Sequence, residues 1–418
     1  MKQSELTIED VERLIPGDIE GPDRDTLFRY PWSNNDNPQG WVEITDACNL
    51  ECHGCYRLRR DGHKPLDEIK QEILFLKKWR NVDSITLAGG EPLIHPDIVE
   101  IVSYISEQGL KAMSLSNGVA LNETFLRELK KAGLVKISFH IDAGQNRKDW
   151  AGKTEEELNE LRQYFVDLLW QEQVKCNFNI TVTLANFQII SMLINWCLGN
   201  RGRVDGFTFI LARGIRWEGF DFSVNGKSIE AEHETLGMVT DVDPENFKIK
   251  SDHVYRYIKS AFPDYEASAF LGGTVLHDSY KWLISVNICS GNRIFGSVGP
   301  GTMKLVQQLH HLFRGRYMIV GKGNLGRKML LLAPVDRMVR KAFLKLFSNP
   351  VRLFRKVYTF GINIIQPCDF LPDGSVNMCE SCPDLTLYKG KLVHSCRLEE
   401  YRLHGKFVTI SPIVNEKP

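Results

Sequence analysis

The sequence carries no excess of charge of either sign: 52 Lys and Arg residues meet 52 Asp and Glu residues over 418 positions. A balanced chain does not hold a polyanion by whole-molecule charge, so nucleic acid is an unexpected partner. Long hydrophobic runs are missing too. The longest candidates, residues 189–198 and 329–335, fall well short of the roughly 20 residues that span a bilayer. The N-terminus, MKQSELTIEDVERLIPG, has no apolar h-region, which excludes a secretory signal and makes a cytoplasmic protein the expectation. With 43% hydrophobic residues the composition excludes a disordered chain. In a reducing compartment the ten cysteines are better explained by metal binding or catalysis than by disulfides.

Between residues 40 and 214, short β-branched runs alternate with longer amphipathic stretches, the pattern of βα units around a parallel sheet. Strands are predicted at 41–45, 84–88, 111–115, 135–141, 176–183 and 206–211, and helices at 65–80, 98–107, 123–131 and 155–171. Six such units make an α/β fold, either a partial (β/α)6 barrel related to the TIM barrel or an open doubly wound sheet. The expected organisation is an N-terminal extension (1–39), this core (40–214), an irregular extension (215–300), a basic amphipathic region (301–360) and a small cysteine-rich C-terminal module (361–418). Within 215–300 only a helix at 253–261 and a strand at 280–288 are predicted.

Directly after the first strand comes Cys48-Asn-Leu-Glu-Cys52-His-Gly-Cys55. Ligands bind at the C-terminal ends of strands in α/β sheets, so three thiolates stand where chemistry is done. Held by only three thiolates, a four-iron cluster keeps one iron open for another ligand. The competing reading is a closed zinc site with His53 or a distant residue as fourth ligand. His53 lies inside the tight turn from Cys52 to Cys55, a poor position from which to reach a shared ion.

One βα unit later, the second strand ends in Ala88-Gly89-Gly90-Glu91-Pro92. Paired glycines let backbone approach a ligand closely, and both loops lie on one rim of a parallel sheet. The Cys-x3-Cys-x2-Cys loop and the Gly-Gly-Glu-Pro turn together resemble the radical S-adenosylmethionine (SAM) superfamily over about residues 40–214. The resemblance implies that Cys48, Cys52 and Cys55 hold a four-iron, four-sulfur (4Fe-4S) cluster. Its open iron would chelate SAM, with Gly89, Gly90 and Glu91 receiving the methionyl amino group. It further implies reductive cleavage of SAM to a 5′-deoxyadenosyl radical, with reduced flavodoxin or ferredoxin as electron donor. Many members place an aromatic residue before the third cysteine. Here Gly54 stands there and Tyr56 follows, so Tyr56 is the candidate adenine contact. Asn117, in Ser-Asn-Gly after the third strand, resembles a Thr-Asn-Gly segment of the superfamily. Ser138 and Asn179, on the alternating faces of the fourth and fifth strands, are expected to meet the ligand if those faces line the barrel; His140 is the weaker candidate.

Near the C-terminus, Cys368, Cys379, Cys382 and Cys396 supply four thiolates, enough for one cluster or one tetrahedral metal. Resemblance to radical SAM enzymes with cysteine-rich extensions (SPASM and Twitch groups) favours an auxiliary iron-sulfur cluster; zinc or a single iron is the alternative. Cys176 and Cys197 read as core residues, and Cys289, at a strand end, as a possible extra ligand. Between 304 and 358 a single acid, Asp336, faces a block of Lys and Arg that includes Lys322 and Arg352, interleaved with large apolar residues such as Leu353 and Phe354. Such a block suits either peripheral contact with an anionic membrane or a helical subdomain with a solvated basic face. Membrane contact would go with a hydrophobic, lipid or isoprenoid substrate. The core also bears a slight resemblance to radical SAM enzymes that modify lipid chains, through Phe139-His-Ile-Asp-Ala-Gly-Gln145. Two other functions remain open: modification of ribosomal peptides, for whose usual N-terminal binding domain the segment before Trp41 is short, and a non-enzymatic, metal-stabilised interaction protein.

Overall fold

A computed structural model describes residues 6–413, apart from 59, 216–217, 241, 320, 322–325 and 350–354. Lys322, Arg352, Leu353 and Phe354 of the basic block, and Trp217 of the irregular extension, lie outside the described residues.

The six expected barrel strands form as β1 (Gln39–Thr45), β2 (Ser84–Gly89), β3 (Lys111–Ser116), β4 (Leu134–His140), β5 (Lys175–Val182) and β6 (Gly206–Leu211). Neighbours pair in parallel in chain order. Each strand is a short apolar run because one face meets the outer helices and the other the lumen, the condition that buries parallel sheets on both sides. Val42, Ile44, Ile85, Leu87, Phe139, Phe178 and Phe209 face outward into one core, shared with Ile69, Ile73 and Leu76 of helix Leu66–Trp79 and Leu126 and Leu129 of helix Glu123–Ala132. Asn122 caps the latter helix through its side chain and Gly133, at φ 111°, ends it in the left-handed region.

The sheet does not stop at β6. Strands β7 (Trp282–Ser290), β8 (Arg293–Ser297) and β9 (Val357–Ile365) extend it. β9 pairs parallel to β6, and β7 pairs antiparallel to both β8 and β9. A boundary at 360 therefore falls inside β9. At the opposite edge, the hairpin β10 (Leu385–Tyr388) and β11 (Lys391–His394) joins β1 through Thr386 and Trp41. The C-terminal cysteine segment thus reaches the edge of the barrel sheet through this hairpin, while Asp369–Phe370 and Val376–Asn377 pair in a two-stranded sheet of their own. The basic region folds into helices Pro300–Arg314 and Arg337–Phe347, the latter packed on β8 through Val339, Ala342 and Leu346. No helix among the described residues is long and apolar enough to cross a membrane.

Two buried arginines tie the C-terminal segment to the barrel. Arg80, at the end of helix Leu66–Trp79, donates to the carbonyls of Gln39, Asn34 and Cys382. Arg57 lies two residues beyond Cys55 and pairs with Glu43 at 2.5 Å, Asp46 at 2.5 Å and Glu399 of helix Leu398–His404 at 2.9 Å. Buried charges are tolerated only when partnered this closely.

Candidate active site

The C-terminal ends of β1 to β6 surround a cavity of about 1090 Å3. Cys48, Cys52 and Cys55 stand on its wall, and so do Cys379, Cys382 and Cys396 from the far end of the sequence. The chain returns to bring the two cysteine sets onto one space, an arrangement that spacing along the sequence does not show.

The first cysteine loop is held in place by the Gly-Gly-Glu turn. Gly90 N–H donates to Thr45 O at 2.8 Å, and Glu91 N–H donates to Ala47 O at 2.9 Å. The glycines are required by this approach of backbone to backbone: a Cβ on Gly89 would lie 2.2 Å from Thr45 O, and one on Gly90 2.1 Å from Ala47 O. What comes close is the neighbouring loop, and the expected role of glycine, closeness to a ligand, is met here first as closeness to the cysteine loop. Glu91 is buried on the wall, its carboxylate accepting from Leu93 N at 3.0 Å, Ser116 Oγ at 2.7 Å and Asn117 N at 2.7 Å. Asn117 in turn donates through Nδ2 to Asn49 Oδ1 at 2.7 Å and reaches Cys48 Sγ at 3.9 Å. Glu91, through its backbone N–H and its carboxylate, together with Asn117, thereby registers the loops after β1, β2 and β3 against each other. Gly90→Ala is expected to displace the cysteine loop and to cost about 1–3 kcal/mol, as overpacking against rigid backbone does. Thermal melting of the variant beside its retained iron checks this.

Burial, followed by the neighbouring Cys55, pushes the Cys52 thiol up to about 12, and burial also raises Cys48. Thiolates form there only against a cation, which is what a metal supplies. In the C-terminal set Cys368, Cys379 and Cys382 are buried, and Cys379 Sγ lies 4.0 Å from Gln366 O. Among the described residues no three or more His, Cys, Asp or Glu side chains are gathered tightly around a single point, in either cysteine set. Cys368 opens on a smaller adjoining cleft with Tyr56, Arg213 and Cys396.

Of the other expected residues, Gly89, Gly90, Glu91, Asn117 and Tyr56 line the cavity. Ser138 and Asn179 do not. Asn179 is buried on β5, where its Oδ1 accepts from Asn177 Nδ2 at 3.2 Å, and Ser138 is part-buried on β4. The wall takes His140 and Thr181 instead, each two residues nearer the strand end. Strand alternation assigns the face correctly but not the depth. Cys289 is buried in the main core, away from both cysteine sets' cavity, as are Cys176 and Cys197.

Asp142, which alternates with Ser138 and His140 along the sequence, lines the wall, and two further wall residues, Arg213 and Trp282, went unseen in the sequence. Asp142 accepts from Gly144 N at 3.1 Å and Thr181 N at 3.2 Å and pairs with His140 Nε2 at 2.7 Å. Burial acts to raise its carboxyl, but these partners leave it below the ordinary range. Arg213, just past β6, lays its guanidinium 4.1 Å from the centre of the Tyr56 ring and faces both cavity and cleft. Trp282, at the start of β7, closes the wall near Cys379 and Cys382. For Arg213 the signal was available: it directly follows a predicted strand on the rim that already carries the cysteines.

Residues 42–182, which span β1 to β5, match the radical SAM superfamily. This part of the chain is a radical SAM domain. Members of this superfamily use a 4Fe-4S cluster and SAM, and the three-thiol loop beside the Gly-Gly-Glu turn is the part of this domain that fits them. It is similar to a probable GTP 3′,8-cyclase of Methanocaldococcus jannaschii, with 33% identity over 104 residues, 24% of this chain and 35% of that relative. Molybdenum cofactor biosynthesis protein moc-5 of Caenorhabditis elegans is 35% identical over 113 residues, 26% of this chain and 19% of its own. The chain thus spans about a third or less of the length of these curated relatives. Among solved structures it is similar to Streptococcus suis SuiB bound to S-adenosylmethionine, with TM-score 0.35, 20% identity, and 43% of this chain and 42% of that chain covered. Kitasatospora setae TsrM, a radical S-adenosylmethionine methyltransferase with tryptophan substrate and a SAM analogue bound, gives TM-score 0.32, 13% identity and coverages of 44% and 37%.

Proposed function

We propose that this radical SAM chain is an enzyme that generates a substrate radical between two iron-sulfur sites. Cys48, Cys52 and Cys55 hold the 4Fe-4S cluster that binds SAM, and Cys368, Cys379, Cys382 and Cys396 hold a second, auxiliary cluster. The observation that carries the reading is the opening of both cysteine sets onto one cavity. Its volume, about 1090 Å3, lies at the upper end of ligand sites, roughly 300–1,000 Å3, so SAM leaves room for a second molecule.

Bound at the first loop, the cluster and SAM supply one-electron cleavage of the sulfonium to methionine and a 5′-deoxyadenosyl radical that takes a hydrogen atom from substrate. The chain's own residues bind, orient and exclude water. Glu91 and Asn117 keep the first cysteine loop in register. Tyr56 and Arg213 present a stacked aromatic and cation between the two sets, placed to hold the adenosyl or an acidic substrate group. Leu184, Ile189, Met192, Ile210, Val242 and Ile365 make an apolar section of wall that excludes water and other hydrogen donors. That section favours a hydrophobic small molecule, including a lipid or isoprenoid chain, as substrate. Reduced flavodoxin or ferredoxin is the proposed electron donor.

Protein purified and reconstituted without oxygen should contain about eight iron and eight sulfide per chain, two four-iron clusters. With dithionite and SAM it should release 5′-deoxyadenosine. Zinc in place of iron at the N-terminal loop would overturn the reading.

A further inference from the structure

Helix Pro300–Arg314 is built inside out. Its buried residues are polar: Thr302 and Gln307 are 5% and 4% exposed. Gln307 donates to Met318 O at 2.8 Å, and His311 pairs with Asp36 at 2.8 Å. Its outward stripe is apolar. Leu305, Leu309, Leu312 and Phe313 recur at helical spacing, and the last two are 74% and 78% exposed. The following segment continues the pattern with Leu331 and Val335, 78% and 76% exposed, and helix Arg337–Phe347 adds Leu344 and Phe347. Soluble surfaces scatter single apolar side chains; a run of this kind marks a surface made to be covered.

The charge around it has one sign. Lys304, Arg314, Lys328, Arg337, Arg340 and Lys341 are all exposed. Between residues 300 and 348 the single carboxylate, Asp336, is withdrawn from that surface. It accepts from Met338 N and Val339 N at the start of the second helix and from Gly299 N and Thr302 Oγ at the start of the first, so both helices begin on it. Asp264, from outside the unit, pairs with Lys345.

We infer that this helical unit docks on an anionic membrane surface, with Leu312 and Phe313 entering the headgroup region and the surrounding Lys and Arg meeting lipid phosphates. Protruding leucines and phenylalanines interleaved with cations match the bilayer interface, where apolar burial and attraction to anionic lipid act together. A second copy of the chain, seated face to face, would set cation against cation across the contact. The inference stands apart from the proposed chemistry, since the unit lies outside the cysteine sets. Its inner side does adjoin one of those sets: Met303, Tyr317 and Ile319 pack on the same cluster as Trp282, Cys379 and Cys382.

The test is co-sedimentation of the anaerobically purified full chain with vesicles of phosphatidylcholine alone or with about one-third phosphatidylglycerol. Binding is expected to the anionic vesicles, weakening as salt rises, and not to phosphatidylcholine alone. Leu312→Ser with Phe313→Ser, and separately Arg340→Gln with Lys341→Gln, should each reduce binding by about tenfold or more while melting unchanged, because these side chains make no core contacts. Failure of the unaltered chain to bind anionic vesicles overturns the inference. So does binding that survives both double variants, or self-association that the Leu312 and Phe313 changes abolish, which would give the face to a second copy.

Discussion

Replacing Cys52 by alanine is expected to bring 5′-deoxyadenosine formation to background while leaving the fold intact. Cys52 is the middle thiol of the first loop and faces the cavity, so its loss takes one of three ligands from the first site. Two thiolates do not retain a four-iron cluster against chelation, and iron per chain should fall by about four. The loop itself keeps its anchors, because Arg57, Gly90 and Glu91 hold it through backbone and buried charge rather than through the thiol. Melting temperature should therefore move by only a few degrees. Iron analysis beside product formation with dithionite separates this outcome from a folding defect. Turnover that survives the change would remove the first loop from the chemistry.

The second large effect is expected from Cys379→Ala and lies on stability as well as activity. Cys379 and Cys382 are 6% exposed and belong to a core cluster with Tyr30, Trp32, Leu271 and Leu385. Cys368 is buried as well, and buried thiols without a metal fill a protein interior poorly. Binding at such a site contributes folding free energy, since the unfolded chain has no preformed site. The variant should lose about four iron per chain and melt about 10 °C lower, several kcal/mol at roughly 2 °C per kcal/mol for a chain of this size. It should still release 5′-deoxyadenosine from SAM but no longer convert substrate. Calorimetry and iron content measured on both cysteine variants would set the two sites apart: a small shift for Cys52, a large one for Cys379. Equal small shifts would refute a structural auxiliary site.

The barrel was legible in the sequence because each of its strands is a short apolar run between turn residues, and the helix at Ile98–Glu107 was placed to the residue. Loops at strand ends located the first cysteine set for the same reason. Strand Val357–Ile365 was hidden by the cations just before it, and its partner, Gly206–Leu211, lies about 150 residues away. Pairing at that separation leaves no local pattern. The position of the C-terminal thiols was lost for a similar reason, since it depends on one parallel bridge from Thr386 to Trp41 and on the carbonyls that Arg80 gathers. Ser138 and Asn179 show a different limit. Their face was readable from alternation, yet whether a lumen residue meets ligand or floor depends on how far the sheet rises beyond it.

The pairing of Arg57 with Glu399 also sets an order of events during synthesis. The loop bearing Cys48, Cys52 and Cys55 leaves the ribosome some 340 residues before the helix that completes its buried ion pair. Until that helix arrives, the guanidinium next to the loop lacks one of its three carboxylate partners. A chain cut short before residue 399 is expected to leave Arg57 with Glu43 and Asp46 alone and to hold iron at the first site less firmly, which iron analysis of the truncated chain checks.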